Sequence, residues 1–155
     1  MKQVAFYQTA IGEIGIAETQ GQITNVYFGA FPLPGGMVCG ETPLLKDAAS
    51  QLFEYFSGAR KSFSLPLAPS GTPFMQKVFQ NLLTIGYGQT RTYGEIARQC
   101  GNAKACRAVG MANHNNPIPI FIPCHRVIGQ NGKLTGYAGG LAIKQFLLTL
   151  EAENK

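Results

Sequence analysis

Tryptophan is missing from this 155-residue chain, histidine occurs only twice, and charged residues make up just 14%. Sparse charge beside 45% hydrophobic residues excludes a disordered chain and predicts a folded core. The cysteines, Cys39, Cys100, Cys106 and Cys124, form no CxxC pair, and His114 and His125 are the two imidazoles. The usual zinc and thioredoxin-type spacings are therefore absent, and neither a metal nor another cofactor is expected. No apolar run reaches the length of a membrane span, and the opening MKQVAFYQT is too short for a signal-peptide core. A chain of this length needs no disulfide for stability. Free thiols belong in a reducing compartment, so the expected location is the cytoplasm, with no membrane partner.

Acidic residues are also scarce, and unevenly so. Up to residue 70, four cations face five carboxylates; from residue 71 on, nine cations face three. The net charge of +5 therefore belongs to the second half. A polyanion such as nucleic acid fits it as well as a merely solvated basic surface does.

Residues 2–8, 12–19 and 22–29 are short β-prone runs separated by Gly12 and by Gln20-Gly21, and predict a three-stranded antiparallel meander. Phe31–Thr42, rich in Pro and Gly, reads as a loop. From Pro43, Leu45, Ala48, Ala49, Leu52, Phe53 and Phe56 recur at helical spacing up to Gly58. Residues 59–71 read as a connector, with room for one more strand. Thr72–Ile85 opens on an N-cap threonine and Pro73, and turns Phe74, Val78, Phe79 and Leu82 to one face. Thr92 and Glu95 form a capping box at the start of Thr92–Gln99. Lys104–Asn113 follows the Gly101-Asn102 turn, and the two short helices read as a helix-turn-helix. Gly140–Glu151 is the last predicted helix, bearing Leu141, Ile143, Phe146, Leu147 and Leu150. The fold class is α+β. A small antiparallel sheet-plus-helix domain spans 1–70, and a mainly helical domain with the helix-turn-helix spans 71–155.

Between the helix-turn-helix and the last helix lies NPIPIFIPCHRVIGQNGKLTGYAGG. Its prolines remove backbone donors, so it predicts an extended buried arm rather than a central strand. The arm delivers Cys124 directly before His125 and Arg126. A free cysteine is most often a small buried hydrophobe. The cationic pair that follows favours a thiolate instead. Adjacent Cys and His side chains usually diverge, so a proton would pass through a water, with Glu151 placed to orient the imidazole.

Ile122-Pro123-Cys124-His125-Arg126-Val127 resembles the active-site motif of the O6-alkylguanine-DNA alkyltransferases. The resemblance runs upstream through Thr92-Tyr93-Gly94-Glu95-Ile96-Ala97, Gly101-Asn102, Arg107-Ala108-Val109-Gly110 and Asn116-Pro117. Downstream it takes in Gly136-Tyr137-Ala138-Gly139-Gly140, Lys144, Leu147, Leu148 and Glu151. It covers nearly all of residues 72–151, while the first half is similar only in layout.

What the resemblance implies is a DNA-repair methyltransferase. It would move the alkyl group from O6-alkylguanine to Cys124 once and irreversibly, with O4-alkylthymine left open as a second substrate. The implied partner is double-stranded DNA, bound by a monomer through the minor groove after nucleotide flipping. Cys124 would accept the alkyl group, His125 would act as base through a water, and Glu151 would orient it. Asn116 would bridge the helix-turn-helix to the arm. Tyr93 would donate to the flipped guanine and Arg107 would fill its place in the stack. Small residues such as Ala108 suit a groove-facing helix, and Arg126 is a further candidate for DNA or base contact. The carbonyls of Cys124 and Val127 and the amide of Ala138 would read the base edge.

Taken singly, Arg107 would be a solvated helix charge, Tyr93 a half-buried helix residue and Glu151 a solvated carboxylate. Cys39, Cys100 and Cys106 would be structural thiols. Three rivals accompany the main reading: a damage binder without an acceptor, a helix-turn-helix transcription factor, and a cysteine hydrolase or redox enzyme. Cys124 argues against the first, the Cys-His-Arg cluster against the second, and the absence of CxxC and of an obvious oxyanion loop against the third.

Overall fold

The computed structural model describes residues 2–29 and 35–155. They form two compact units, Met1–Pro69 and Ser70–Lys155.

In the first unit, β1 (Lys2–Thr9), β2 (Gly12–Thr19) and β3 (Gln22–Phe28) form the antiparallel meander that the alternating sequence predicts. Gly15 pairs with Phe6 across β1 and β2. A Cβ there would come within 2.8 Å of the Phe6 ring, so the ring lies where only glycine leaves space. α1 (Pro43–Phe56) starts on the Thr42 hydroxyl, which accepts from the Leu45 amide at 3.1 Å, with Pro43 at the first helical position. Leu45, Ala48, Ala49, Leu52 and Tyr55 are buried, and α1 packs on β1 and β2. The expected stripe is shifted by a fraction of a turn: Tyr55 takes the core place assigned to Phe53, which is 44% exposed.

The stretch Phe31–Thr42 is not all loop. Residues 31–34 lie outside the described residues, but Met37–Cys39 forms β4, parallel to β1. The sheet order is therefore β3-β2-β1-β4. Three residues next to a Pro/Gly-rich run carry too little pattern to announce a strand, and pairing with distant β1 creates it. In the connector, Leu67 makes an isolated bridge to Ile23, which accepts from the Ala68 amide at 2.8 Å.

The second unit is mainly helical. α2 (Pro73–Leu82) is capped by Thr72 and buries Val78, Phe79 and Leu82. Next come β5 (Arg91–Thr92), α3 (Tyr93–Gln99) and α4 (Cys106–His114). The Thr92–Glu95 capping box is present in full, with Glu95 Oε1 accepting from the Thr92 amide at 3.0 Å. Gly101, at φ +86°, reverses the chain between α3 and α4, a conformation that glycine adopts without Cβ strain. A 3₁₀ turn (Cys124–Arg126) then leads into β6 (Val127–Ile128), which pairs in parallel with β5. α5 (Leu141–Glu153) closes the chain. No helix among the described residues is long and apolar enough to cross a membrane.

Two expectations about this unit need correction. The arm is buried but not extended: the Ile122 amide reaches back to the Ile118 carbonyl at 3.0 Å, and Ile120 sits at φ +74°. For a β-branched residue that conformation is a strained outlier, and Ile120 holds it while buried in the core. The buried stripe of α5 is Lys144, Leu147 and Glu151, whereas Leu141 is 49% and Phe146 39% exposed. Two charged residues therefore lie on the face that an apolar count would call core.

Candidate functional site

Cys124 opens the 3₁₀ turn and is 2% exposed. Burial pushes its thiol up to about 11, while the Asn116 side chain, the Lys144 charge and nearby backbone amides pull the other way. At neutral pH the resting form is therefore the thiol. The expected help from the adjacent cations is absent, because Arg126 is engaged elsewhere and burial lowers the His125 pKa. The cation whose charge favours the thiolate is Lys144.

His125 is fully buried, and its Nε2 lies 2.7 Å from Glu151 Oε2. Burial alone would raise the Glu151 pKa, but the hydrogen bonds and charges of His125 and Arg126 outweigh it and hold the carboxyl at about 2. A carboxylate accepts only, so Nε2 carries the imidazole proton and Nδ1 is the basic nitrogen. Glu151 also accepts from Arg126 Nε at 2.8 Å, Arg126 Nη2 at 3.0 Å and the Gly88 amide at 3.0 Å. This fork fixes the carboxylate geometrically, and the carboxylate in turn fixes the ring.

Arg126 was expected to face the base or DNA. Instead it is 7% exposed, binds Glu151, and donates to the Ile85 carbonyl at 2.6 Å. A guanidinium in a buried pocket is held by its carboxylate. Arg126 and Glu151 cancel within this unit, so their burial leaves its net charge unchanged.

Asn116 lies just past α4, where it takes both ends of the arm. Its Oδ1 accepts from the Ile118 amide and its Nδ2 donates to the Ile122 carbonyl, both at 3.0 Å. Sequence reading missed its neighbour Asn113, whose Nδ2 donates to the Cys124 carbonyl at 3.2 Å. It also missed what Lys144 does: its Nζ donates to the Val127 carbonyl at 2.6 Å and the Thr135 carbonyl at 3.2 Å. A lysine within a helical apolar stripe was the available signal. The Cys124 carbonyl thus holds two internal donors, the Asn113 amide and the Val127 N–H that closes the 3₁₀ turn, and the Val127 carbonyl holds the Lys144 ammonium.

Tyr93, Arg107, His114, Thr135 and Gly136 line a cleft of about 350 Å³, together with Cys106 and Gly110. Tyr93 starts α3 and is half-buried, while Arg107 and Ala108 stand exposed on α4. Ala138 is exposed in the loop before α5. The structure therefore places Tyr93 and Arg107 on one cleft, and His125, Arg126 and Glu151 in one buried cluster.

Comparison with known proteins covers nearly the whole chain. Residues 73–153 match the family described as "6-O-methylguanine DNA methyltransferase, DNA binding domain". Residues 3–69 match its "ribonuclease-like domain". The chain belongs to the 6-O-methylguanine DNA methyltransferase family. It is 50% identical over 151 residues to a methylated-DNA–protein-cysteine methyltransferase of Methanosarcina acetivorans, covering 95% of this chain and 96% of that one. The constitutive methyltransferase of Bacillus subtilis is also 50% identical, with 93% and 92% covered. Among solved structures, Mycobacterium tuberculosis OGT in complex with DNA superposes with a TM-score of 0.92 at 42% identity, covering 98% of this chain and 94% of that one. The α+β expectation, with a sheet domain followed by a helical DNA-binding domain, holds.

Proposed function

We propose that the protein repairs O6-alkylguanine in duplex DNA by moving the alkyl group onto Cys124. The observation that carries this reading is the buried Cys124 directly preceding a His125 whose tautomer Glu151 sets, in the unit that bears α3 and α4. His125 Nδ1, through a water, takes the thiol proton as the sulfur attacks the alkyl carbon. The S–C bond forms, the C–O6 bond breaks, and its electron pair stays on the purine. The proton taken from the thiol finally restores neutral guanine. A thioether has no easy way back, so each chain reacts once.

A stacked base cannot present O6 to a buried thiol, so the nucleotide leaves the duplex at a cost of a few kcal/mol, less where a damaged base pairs badly. Tyr93 and Arg107, on the same cleft, suit the roles of donor to the flipped base and filler of its vacated place. Small residues on α4 suit the minor groove, and its degenerate pattern suits repair in any sequence context. A monomer suffices, since one chain carries the thiol and the cleft together. Four free thiols favour the reducing cytoplasm. Titration with duplex labelled on the O6-methyl group tests the reading. Label should accumulate on protein and saturate at one per chain. Continuous release of labelled small product would establish a hydrolase, and retained DNA with unlabelled protein a binder.

Arg107→Ala is expected to slow repair of duplex roughly tenfold or more, and reaction with free O6-methylguanine far less, because a free base leaves no gap in a stack. Equal losses on both substrates would remove Arg107 from that role.

Phosphate contacts are assigned to the second unit. Lys2 already donates to Asn25 at 2.6 Å, whereas Arg98 and Lys104 are exposed beside α3 and α4. Reversing Arg98 or Lys104 to Glu should lower affinity and flatten the dependence of log Kd on log salt by about one to two units. Reversing Lys2 or Lys46 should leave both nearly unchanged, and the opposite pattern would overturn the division.

A further inference from the structure

The Tyr93 hydroxyl is already occupied. It lies 2.6 Å from the Thr135 hydroxyl, and the two residues line the same cleft. Thr135 is itself held by its backbone, whose carbonyl accepts from Lys144 Nζ at 3.2 Å. The same ammonium holds the Val127 carbonyl at 2.6 Å. Tyr93 is therefore linked through Thr135 to the ammonium that also holds the Val127 carbonyl beside the acceptor cysteine.

We propose that Thr135 is a positioning residue for the transfer step, setting the direction of the Tyr93 proton. A phenol has one proton. If Tyr93 gives it to Thr135, only an oxygen lone pair is left toward the cleft. A base whose ring nitrogens gain negative charge as C–O6 breaks would then meet an acceptor. If Thr135 donates to the phenol oxygen instead, the Tyr93 O–H points at the base. The chain of two hydroxyls strengthens it as a donor, because each hydrogen bond polarises the next. Holding Thr135 through its own carbonyl places its hydroxyl against the phenol before the base arrives, and a donor positioned in advance is one that favours the transition state over the ground state. The inference rests on the reading of Tyr93 as donor to the flipped base.

The test is a double-mutant cycle on the single-turnover rate with O6-methylguanine duplex at saturating protein. Thr135→Val keeps the branched shape and the carbonyl that Lys144 holds, and removes only the hydroxyl. It should slow transfer roughly three- to tenfold, the range of one neutral hydrogen bond. Thr135→Ser should recover the rate to within about twofold, and Thr135→Ala, which cannot clash, should match the valine variant. In a Tyr93→Phe background, Thr135→Val should cost less than about twofold, because its target is gone. An equal loss in both backgrounds would overturn the proposal, as would a valine variant as fast as the unmodified protein while Tyr93→Phe is slow. Full speed in Tyr93→Phe alone would instead remove the reading of Tyr93, and the proposal with it.

Discussion

Duplex carrying O6-methylguanine should stay bound to Cys124→Ala and keep its methyl group. All four cysteines are free, so three other sulfurs could in principle accept. Cys100 is buried, with burial the main cause of its raised pKa and Asn81 Nδ2 at 3.4 Å from its sulfur. Cys39 lies on edge strand β4. Cys106 is the serious competitor, being exposed on the cleft beside Arg107. Yet Cys124 alone directly precedes the histidine that Glu151 orients, and it alone has Lys144 and Asn116 acting on its thiol. Alanine removes one atom from a well-packed site, so the fold and the groove-facing surface should survive. Peptide mass spectrometry of the reacted unmodified protein should place one methyl group on the Cys124 peptide. A methyl on the Cys106 peptide, or transfer by Cys124→Ala, would refute the assignment.

Glu151→Ala should destabilise the second unit by about 3–5 kcal/mol, because it leaves a buried guanidinium without its carboxylate. Arg126 would retain the Ile85 carbonyl as a hydrogen-bond acceptor, and His125 would lose the partner that fixes its tautomer. Transfer should slow together with stability. Glu151→Gln, which keeps the shape and an acceptor oxygen, should cost less in stability yet still lose rate. The pH dependence follows from the same contacts. The Glu151 pKa is held at about 2, below its ordinary 4.5. Its contribution is therefore complete above 4.5 and lost as pH falls toward 2. The His125 pKa is lowered from 6.5 mainly by burial, so acid also opposes the fold there. Urea midpoints of the unmodified protein should fall on acidification, and in Glu151→Gln the fall below pH 4.5 should flatten. A Glu151→Ala protein as stable as its parent would contradict this account.

Much of this site could be read from the chain because local rules fix its parts. The Thr42, Thr72 and Thr92 caps start three helices where hydroxyl and proline chemistry require, and the run around Cys124 carries a long ordered motif. The invisible parts depend on partners far away in sequence. β4 exists only through β1. Arg126 follows a nucleophile and reads as a surface cation until Glu151 is found opposite it. The left-handed Ile120 runs against every local preference, as strained backbone near a reacting group often does. Asn113, Lys144 and Thr135 work through backbone carbonyls and a hydroxyl, and no spacing rule predicts such partners.

The carboxylate that steers the base comes from the final helix, 26 residues after the imidazole it holds. During synthesis the ribosome makes the cysteine, the histidine and the helix-turn-helix first, and only then the turn containing Glu151. A chain that stops at Leu150 carries every other part of the motif and both threonine-capped helices of this unit, but lacks the anchor of its base and the counter-charge of Arg126. The residue that orients the base is therefore made after the base itself. A copy without Glu151 should react slowly, and it should also be less able to stay folded.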